Sequence, residues 1–140
     1  MDSTTTVTPY CTFTLLAPRL LEQRFHPTTR FTPDVLREVA RARDRLCARE
    51  THALLVVIPA EVPVEPSATN VDHFVRERTR RHIHALALVA EGAQMHSVSK
   101  FYFNWYPQVF PVEVFDEEDD ALEWLRGQLK SIATGNGRAI

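Results

Sequence analysis

A continuous apolar run at residues 53–59, ALLVVIP, constrains the fold of this chain more than any other feature of the sequence. The run is rich in β-branched residues and ends at a proline. A strand with one face in water would alternate apolar with polar residues, so this run predicts a strand that is buried on both faces. Such strands occur mainly in the middle of a parallel or mixed sheet that is covered by helices.

Two further strand-like runs follow at the spacing of repeated strand–helix units. They are residues 85–90 (ALALVA) and 111–115 (PVEVF). Residues 10–17 and 19–26 come earlier, separated by one proline, and predict an antiparallel hairpin. The sequence therefore predicts an α/β fold with a mixed, mostly parallel sheet that starts with this hairpin. The runs at 53–59 and 85–90 should be adjacent, parallel strands.

Four helices are predicted between and after these strands. The first begins at the capping residue Thr32 and extends to about Ala48, and the second covers about residues 67–81. The third covers residues 94–106. The last begins at the cap Asp116, which four acidic residues follow, and these suit the positive end of a helix.

The chain has the size and composition of a single globular domain, with 140 residues of which 44% are hydrophobic. We expect a flexible N-terminal arm at residues 1–9, one domain at 10–130 and a flexible C-terminal tail at 131–140. A formal net charge of −2 gives no reason to expect nucleic acid as a partner. The start of the chain does not resemble a leader, and no apolar run has the length of a membrane helix. We therefore expect a cytoplasmic protein without membrane insertion.

No pattern in the sequence specifies a reaction. The signatures of phosphate-binding loops, serine hydrolases and zinc peptidases are absent, and only Gly92 of the four glycines lies in the body of the chain. His82 and His84 have the spacing to lie on one side of a strand, but the sequence places no cysteine or carboxylate to complete a metal site. We predict a protein that is not an enzyme, with no catalytic residues, metal or cofactor.

Arg43 interrupts the apolar face of the first predicted helix. Its ordinary interpretation is a stem that packs along the core edge and a guanidinium that reaches water or a carboxylate. The alternative is a buried arginine that binds an anion. Four arginines near the end of the second predicted helix suit the negative helix end. Arg78 and Arg81 among them join Arg43 as candidates for contact with an acidic partner or a phosphate.

The third predicted helix offers more aromatic surface than one core-facing side requires. Six of its residues fall on one arc that would face the core: Met95, Val98, Phe101, Tyr102, Trp105 and Tyr106. Phe103 lies outside that arc. We predict that Phe103, Tyr106 and Phe110 form an exposed patch through which the protein forms a homodimer or higher oligomer, or contacts another protein. The alternative is that the aromatic helix and the loop at residues 61–67 enclose a small apolar ligand.

The order of the elements and four segments resemble a known family. The segments are ALLVVIP, ALALVAE, FYFNWYP and PVEVFDEEDDALEWL. The chain resembles the STAS-type, SpoIIAA-like group of small bacterial proteins over residues 10–130, and members of that group often close with a segment like residues 115–125. The resemblance implies a SpoIIAA-like βα superhelix. It also implies a protein-interaction switch or, as in the related CRAL-TRIO-like group, a lipid-binding protein.

The chain departs from the anti-sigma-factor antagonists of that group at their phosphorylation motif. Those proteins carry an Asp-Ser-Ser-Gly-like motif at the start of the second helix, where this chain has EPSAT at residues 65–69. Ser67 and Thr69 are the candidate phosphorylation sites, because a phosphate is tolerated at a helix start, although capping accounts for Ser67 equally well. We expect a non-catalytic, STAS-like regulatory or interaction module. The alternative is a binding protein for a small apolar or lipid-like ligand.

Overall fold

The computed structural model describes residues 5–47 and 50–138, with side chains up to Ser131. The strands are β1 (Thr5–Val7), β2 (Cys11–Ala17), β3 (Leu20–Phe25), β4 (His52–Ile58), β5 (Ile83–Ala90) and β6 (Val112–Phe115). The helices are α1 (Pro33–Cys47), α2 (Glu77–Arg80), α3 (Ala93–Trp105) and α4 (Glu118–Arg138), and one turn of 3₁₀ helix covers Pro66–Thr69. None of the described helices combines the length and the apolar composition of a membrane span.

The six strands form one mixed sheet in which each strand pairs with its neighbours in sequence. β1, β2 and β3 are antiparallel, whereas β3, β4, β5 and β6 are parallel. Leu54 lies opposite Leu86 and Val56 opposite Leu88 across the β4–β5 pair. The predicted fold class, including the antiparallel hairpin and the adjacent parallel central strands, is confirmed.

Both central strands are buried on their two faces, because helices cover each side of the sheet. All seven residues of β4 are buried. Leu54, Val56 and Ile58 belong to the core beneath α1 and α3. The alternate residues Ala53, Leu55 and Val57 belong to a second core with Ala121 and Leu125 of α4. The two-residue period of a strand therefore divides the run of apolar residues between two cores.

The two ends of the chain differ from the prediction. Residues 5–7, expected in a flexible arm, form the edge strand β1, in which Val7 pairs with Thr12 of β2. The threonine-rich sequence suits a strand, because β-branched residues favour extended backbone. At the other end α4 continues to Arg138, through most of the expected tail. The predicted end of the first helix, Ala48, lies outside the described residues.

The predicted second helix at residues 67–81 is wrong. Only the 3₁₀ turn and the four-residue α2 are helical there. Asp72 Oδ1 accepts the backbone N–H of Phe74 at 2.9 Å, and the carbonyl of Val71 accepts the hydroxyl of Tyr102 at 2.7 Å. These side chains occupy backbone groups that a helix would pair internally. Val71 and Val75, two of the apolar residues in this range, are exposed.

Gly92 forms the turn from β5 into α3. Its φ of +90° lies in a region that residues with a side chain rarely adopt, and a Cβ at this position would lie 3.2 Å from the Cβ of Ala60. The glycine therefore brings the start of α3 close to the loop that follows β4.

Candidate functional site

An apolar cavity of about 120 Å³ lies between the sheet and the helices α1 and α3. Val56 and Ile58 of β4 and Leu86 and Leu88 of β5 line it from the sheet. Ile58 is the last residue of its strand, so the cavity reaches the carboxyl ends of the parallel strands. This is the edge at which open α/β sheets commonly bind ligands.

Arg43 of α1 lines this cavity and is only 5% exposed. Its Nη1 donates a hydrogen bond of 3.0 Å to Oε1 of Gln23, a buried residue of β3. Its Cζ lies 5.8 Å from the centroid of the Phe74 ring. The prediction that the guanidinium would reach water or a carboxylate is wrong, because α1 turns residue 43 toward the sheet, where an amide and an aromatic ring receive it.

The Arg43 guanidinium has few partners for a buried cation. Gln23 is its only hydrogen-bond partner within the described part of the chain, so four of its five N–H groups are unpaired. None of the described residues that line the cavity is an aspartate or glutamate. Desolvation lowers the pKa of Arg43, and the charges of Asp44 and Glu77 oppose that shift. An arginine remains charged despite such a shift, so an incompletely paired cation lies in an apolar space.

The two nearby carboxylates are already engaged. Asp44 forms an ion pair with Arg80, with an N–O distance of 2.7 Å. Oε1 of the buried Glu77 accepts the backbone N–H groups of His82 at 2.7 Å and Ile83 at 3.1 Å. Each carboxylate thus has a partner other than Arg43.

Ser99 of α3 adds a second polar group to the cavity wall. It is 5% exposed, and no hydrogen bond joins its hydroxyl to any residue that the structure describes. A buried hydroxyl without a partner costs free energy, as an unpaired guanidinium N–H does. The cavity is therefore lined by donors of α1 and α3 that have no hydrogen-bond partner among the described residues.

A surface groove of about 910 Å³ adjoins the cavity. Phe101 and Trp105 of α3 line it on one side, and residues 60–64, 66, 69 and 70 of the segment after β4 line it on the other. Five residues line both spaces: Val64, Thr69, Met95, Val98 and Tyr102. The wall between cavity and groove thus consists of side chains from this segment and α3.

Tyr102 holds this wall together. Its hydroxyl donates to the carbonyl of Val71 at 2.7 Å and accepts the backbone N–H of His73 at 2.9 Å. Burial raises the pKa of Tyr102 to about 12, so the hydroxyl keeps its proton and remains a donor at neutral pH. The tyrosine therefore fastens the segment before α2 to α3.

Tyr102→Phe is expected to lower the free energy of unfolding by about 1 kcal/mol, because it removes two hydrogen bonds at a partly exposed position. Tyr106→Phe is the matched control: its hydroxyl has no hydrogen-bond partner in the described ranges, so a change below about 0.5 kcal/mol is expected. Urea unfolding of the three proteins measures both values. Equal effects of the two substitutions would contradict the role given to the Tyr102 hydroxyl.

The prediction that Phe103, Tyr106 and Phe110 form an exposed patch is wrong. Phe110 is buried, and Phe103 packs against the core with its ring centroid 5.9 Å from that of Phe74. Tyr106 is half-buried beside Tyr102. Phe101 and Trp105, which were expected to face the core, are instead 66% and 67% exposed.

The orientation of α3 explains why Phe103 packs against the core whereas Phe101 and Trp105 are exposed. Met95 and Ser99 are the buried residues of the helix, so its inner face is centred on these positions and continues to Phe103. The small Ser99 side chain allows the helix to lie close to the sheet. The sequence prediction placed the large aromatic residues on the core-facing side of the helix and did not include Ser99 there.

The structure does not bring the three candidate anion-binding arginines together. Arg78 forms an ion pair with Asp72 at 3.0 Å, and Arg81 is exposed at the end of α2 with a φ of +57°. Neither of them lines the cavity with Arg43. Arg43 is therefore the member of this set that has a defined site.

The candidate phosphorylation sites do not lie at the start of a long helix. Ser67 is exposed in the single 3₁₀ turn, with its Oγ 3.5 Å from a carboxylate oxygen of Glu65. Thr69 donates its hydroxyl to the carbonyl of Pro66 at 2.9 Å. One turn has too few aligned peptides to attract a phosphate, and Glu65 would repel it from Ser67.

Asp44, Glu77 and His82 bring three ligand atoms within 4.8 Å of one another, a grouping that the sequence did not indicate. Arg80 already pairs with Asp44, and its Nη2 lies 3.0 Å from Nδ1 of His82. A metal ion would have to displace this cation. His84 lies apart from the group, with its Nε2 3.2 Å from the carbonyl of Gln128.

A family model described as "Domain of unknown function (DUF7793)" matches residues 15–129. The chain belongs to this family. The DUF7793 match begins within β2 and ends within α4, so it includes every residue that lines the cavity or the groove. No curated protein matches the chain.

A solved structure shows the same fold. It is that of an uncharacterized protein from the DUF3478 family with a SpoIIAA-like fold, from Shewanella loihica PV-4. The two share 12% sequence identity, and the TM-score is 0.56 over 86% of this chain and 98% of that chain. At this identity the likeness establishes the SpoIIAA-like fold alone. Membership of the STAS family stays a prediction.

Proposed function

We propose that this DUF7793 protein is a non-catalytic interaction module that forms a homodimer through α3 and the adjoining groove. The observation that carries the proposal is the exposed pair of Phe101 and Trp105. Their rings stack with centroids 6.2 Å apart and planes 22° apart. Two large aromatic side chains that are stacked together, each about two-thirds exposed, form a preorganised apolar ridge.

The size of the ridge supports a weak to moderate dimer. Two such rings expose on the order of 250 Å² of apolar surface, so a two-fold contact buries about 500 Å² of it. At about 25 cal/mol per Å² this burial contributes roughly 12 kcal/mol to the free energy of association. The loss of translational and rotational entropy offsets several kcal/mol of this gain or all of it. The neighbouring groove must add contact area for the dimer to persist at micromolar concentrations.

The ridge and the groove share one surface, which favours a second copy of the chain as the partner. In a two-fold contact the ridge of one protomer meets the groove of the other. A charged residue near the two-fold axis would lie close to its own copy, so charges there would oppose the contact. Among the described residues that line the groove, Glu61 is the only charged one. Repulsion between like charges is therefore small.

Sedimentation velocity at several concentrations tests the dimer. The wild type is expected to shift from monomer to dimer as its concentration rises, whereas Trp105→Glu is expected to remain monomeric because it places a charge on the ridge. The control is Val75→Glu, which adds the same charge at an exposed valine that does not line the groove. This variant is expected to dimerise as the wild type does.

Two results would overturn the proposal. One is a wild type that stays monomeric at the highest concentration reached. The other is a dimer that survives Trp105→Glu, which would place the contact elsewhere on the protein.

A second candidate function, binding of a small ligand, is favoured by the cavity beside Arg43. The space next to Trp105 is a surface groove, so it does not supply the enclosed apolar pocket that the ligand interpretation requires. The cavity beside Arg43 suits a ligand better, because buried, mostly apolar side chains of the sheet, α1 and α3 line it.

A further inference from the structure

We infer that the cavity binds a small organic monocarboxylate whose carboxylate pairs with the guanidinium of Arg43 and whose apolar body lies against the sheet. This inference rests on the second candidate function, ligand binding in the cavity, and is independent of the proposed dimer. It specifies the charge, the headgroup and the size of the ligand.

The charge follows from Arg43. A buried cation is normally paired, yet this guanidinium has one amide partner and no carboxylate in the described lining of its cavity. A bound anion would supply the missing acceptor. Its charge would be neutralised by Arg43 within the same apolar space, so neither ion would be left unpaired.

The headgroup follows from the number of charges. The planar guanidinium presents parallel N–H groups that match the two oxygens of a carboxylate. A phosphate dianion would carry more negative charge than the guanidinium of Arg43 neutralises. The carboxylates of Asp44 and Glu77 act electrostatically on Arg43 and would repel the excess charge. A singly charged carboxylate therefore suits the site better than a phosphate.

The size follows from the volume of the cavity. A cavity of about 150 Å³ lined by apolar side chains accommodates benzene, and this one measures about 120 Å³. The apolar body of the ligand is thus no larger than one six-membered ring or a short alkyl chain. Long-chain lipids do not fit inside it.

The wall shared with the groove offers the route of entry. The loop after β4 and α3 form this wall, and Tyr102 fastens the following segment to α3 through Val71 and His73. Local opening of this segment would expose the cavity without unfolding the sheet.

Isothermal titration calorimetry with benzoate and its neutral isostere benzamide tests the inference. Wild-type protein is expected to bind benzoate at least tenfold more tightly than benzamide. Arg43→Met keeps a stem of similar length without the charge and is expected to weaken benzoate binding about 30-fold, because charge-assisted hydrogen bonds are lost. Arg43→Lys keeps the charge and is expected to stay within about tenfold of the wild type.

Two further measurements distinguish a loss of binding from a loss of folding in the variants. Circular dichroism and thermal melting establish the folded state of each variant. In the wild type, amide chemical shifts upon addition of benzoate are expected to change at Ser99, Thr69 and Gln23, which line the cavity. Changes confined to other surfaces would overturn the inference without any variant.

The remaining outcomes separate this inference from the function on which it rests. If benzamide binds in the cavity as tightly as benzoate, the site takes neutral ligands: ligand binding stands and the carboxylate is refuted. If neither compound binds at millimolar concentration, both the ligand function and its carboxylate form are refuted.

Discussion

Replacing Arg43 and Gln23 together by apolar residues, Arg43→Met with Gln23→Leu, is expected to raise the free energy of unfolding by about 3 kcal/mol. Folding transfers the guanidinium from water to a site that is 5% exposed, where one amide and one aromatic ring partly replace its hydration. The double substitution removes the cation and its partner at once, so no buried polar atom of this pair is left unsatisfied.

Urea unfolding at neutral pH measures this gain, and Arg41→Met is the matched control. Arg41 lies on the same helix, and its exposed side chain pairs with Glu38. The control is expected to change stability by less than about 0.5 kcal/mol, because exposed ion pairs contribute little. A double variant less stable than the wild type would mean that Arg43 is retained for its contribution to the fold.

A gain in stability would be consistent with a functional reason for keeping Arg43. Proteins often carry destabilising groups where a ligand completes their pairing, and removal of such a group stabilises the free protein while binding is lost. The stability of the double variant and the benzoate affinity of Arg43→Met thus examine two consequences of one buried charge.

Most of the fold could be predicted from local patterns. Two-sided burial of a strand shows in the continuous apolar run that became β4, and the acidic residues before Ala121 mark the start of α4. Each of these signals depends on residues that are close in sequence. The second predicted helix does not form, because side chains distant in sequence bind backbone groups that the helix would pair. Tyr102, which binds the carbonyl of Val71, lies about 30 residues away from it.

The candidate site was less predictable, because it depends on the rotation of helices about their axes. The period of α1 placed Arg43 on the core-facing side, yet the sequence offered no means of knowing that Gln23 of β3 would lie opposite it. The aromatic residues of α3 likewise supported two orientations. Burial of Ser99 selects the one that exposes Phe101 and Trp105.

Lowering the pH from 7.5 to 4 is expected to destabilise the protein by about 3 kcal/mol through His52 alone. Burial lowers the pKa of His52 to about 4 from its ordinary value of 6.5, and the charge of Arg43 acts in the same direction. The unfolded chain therefore binds a proton between these two values while the folded protein does not. The stabilising contribution is complete above pH 6.5 and is lost as the pH falls toward 4, with about 2 kcal/mol lost by pH 5.

Urea unfolding of the wild type and His52→Asn at pH 7.5, 6.5, 5.5 and 5 isolates this effect, because other groups titrate alike in both proteins. The stability difference between wild type and variant is expected to shrink by about 2 kcal/mol over this range. His84→Asn provides a comparison. Burial also lowers the pKa of His84, but this histidine is only half-buried, so a smaller change of the same sign is expected. A wild type and His52→Asn with the same dependence on pH would show that His52 takes up its proton without unfolding, and hence that water reaches β4 beside Cys47.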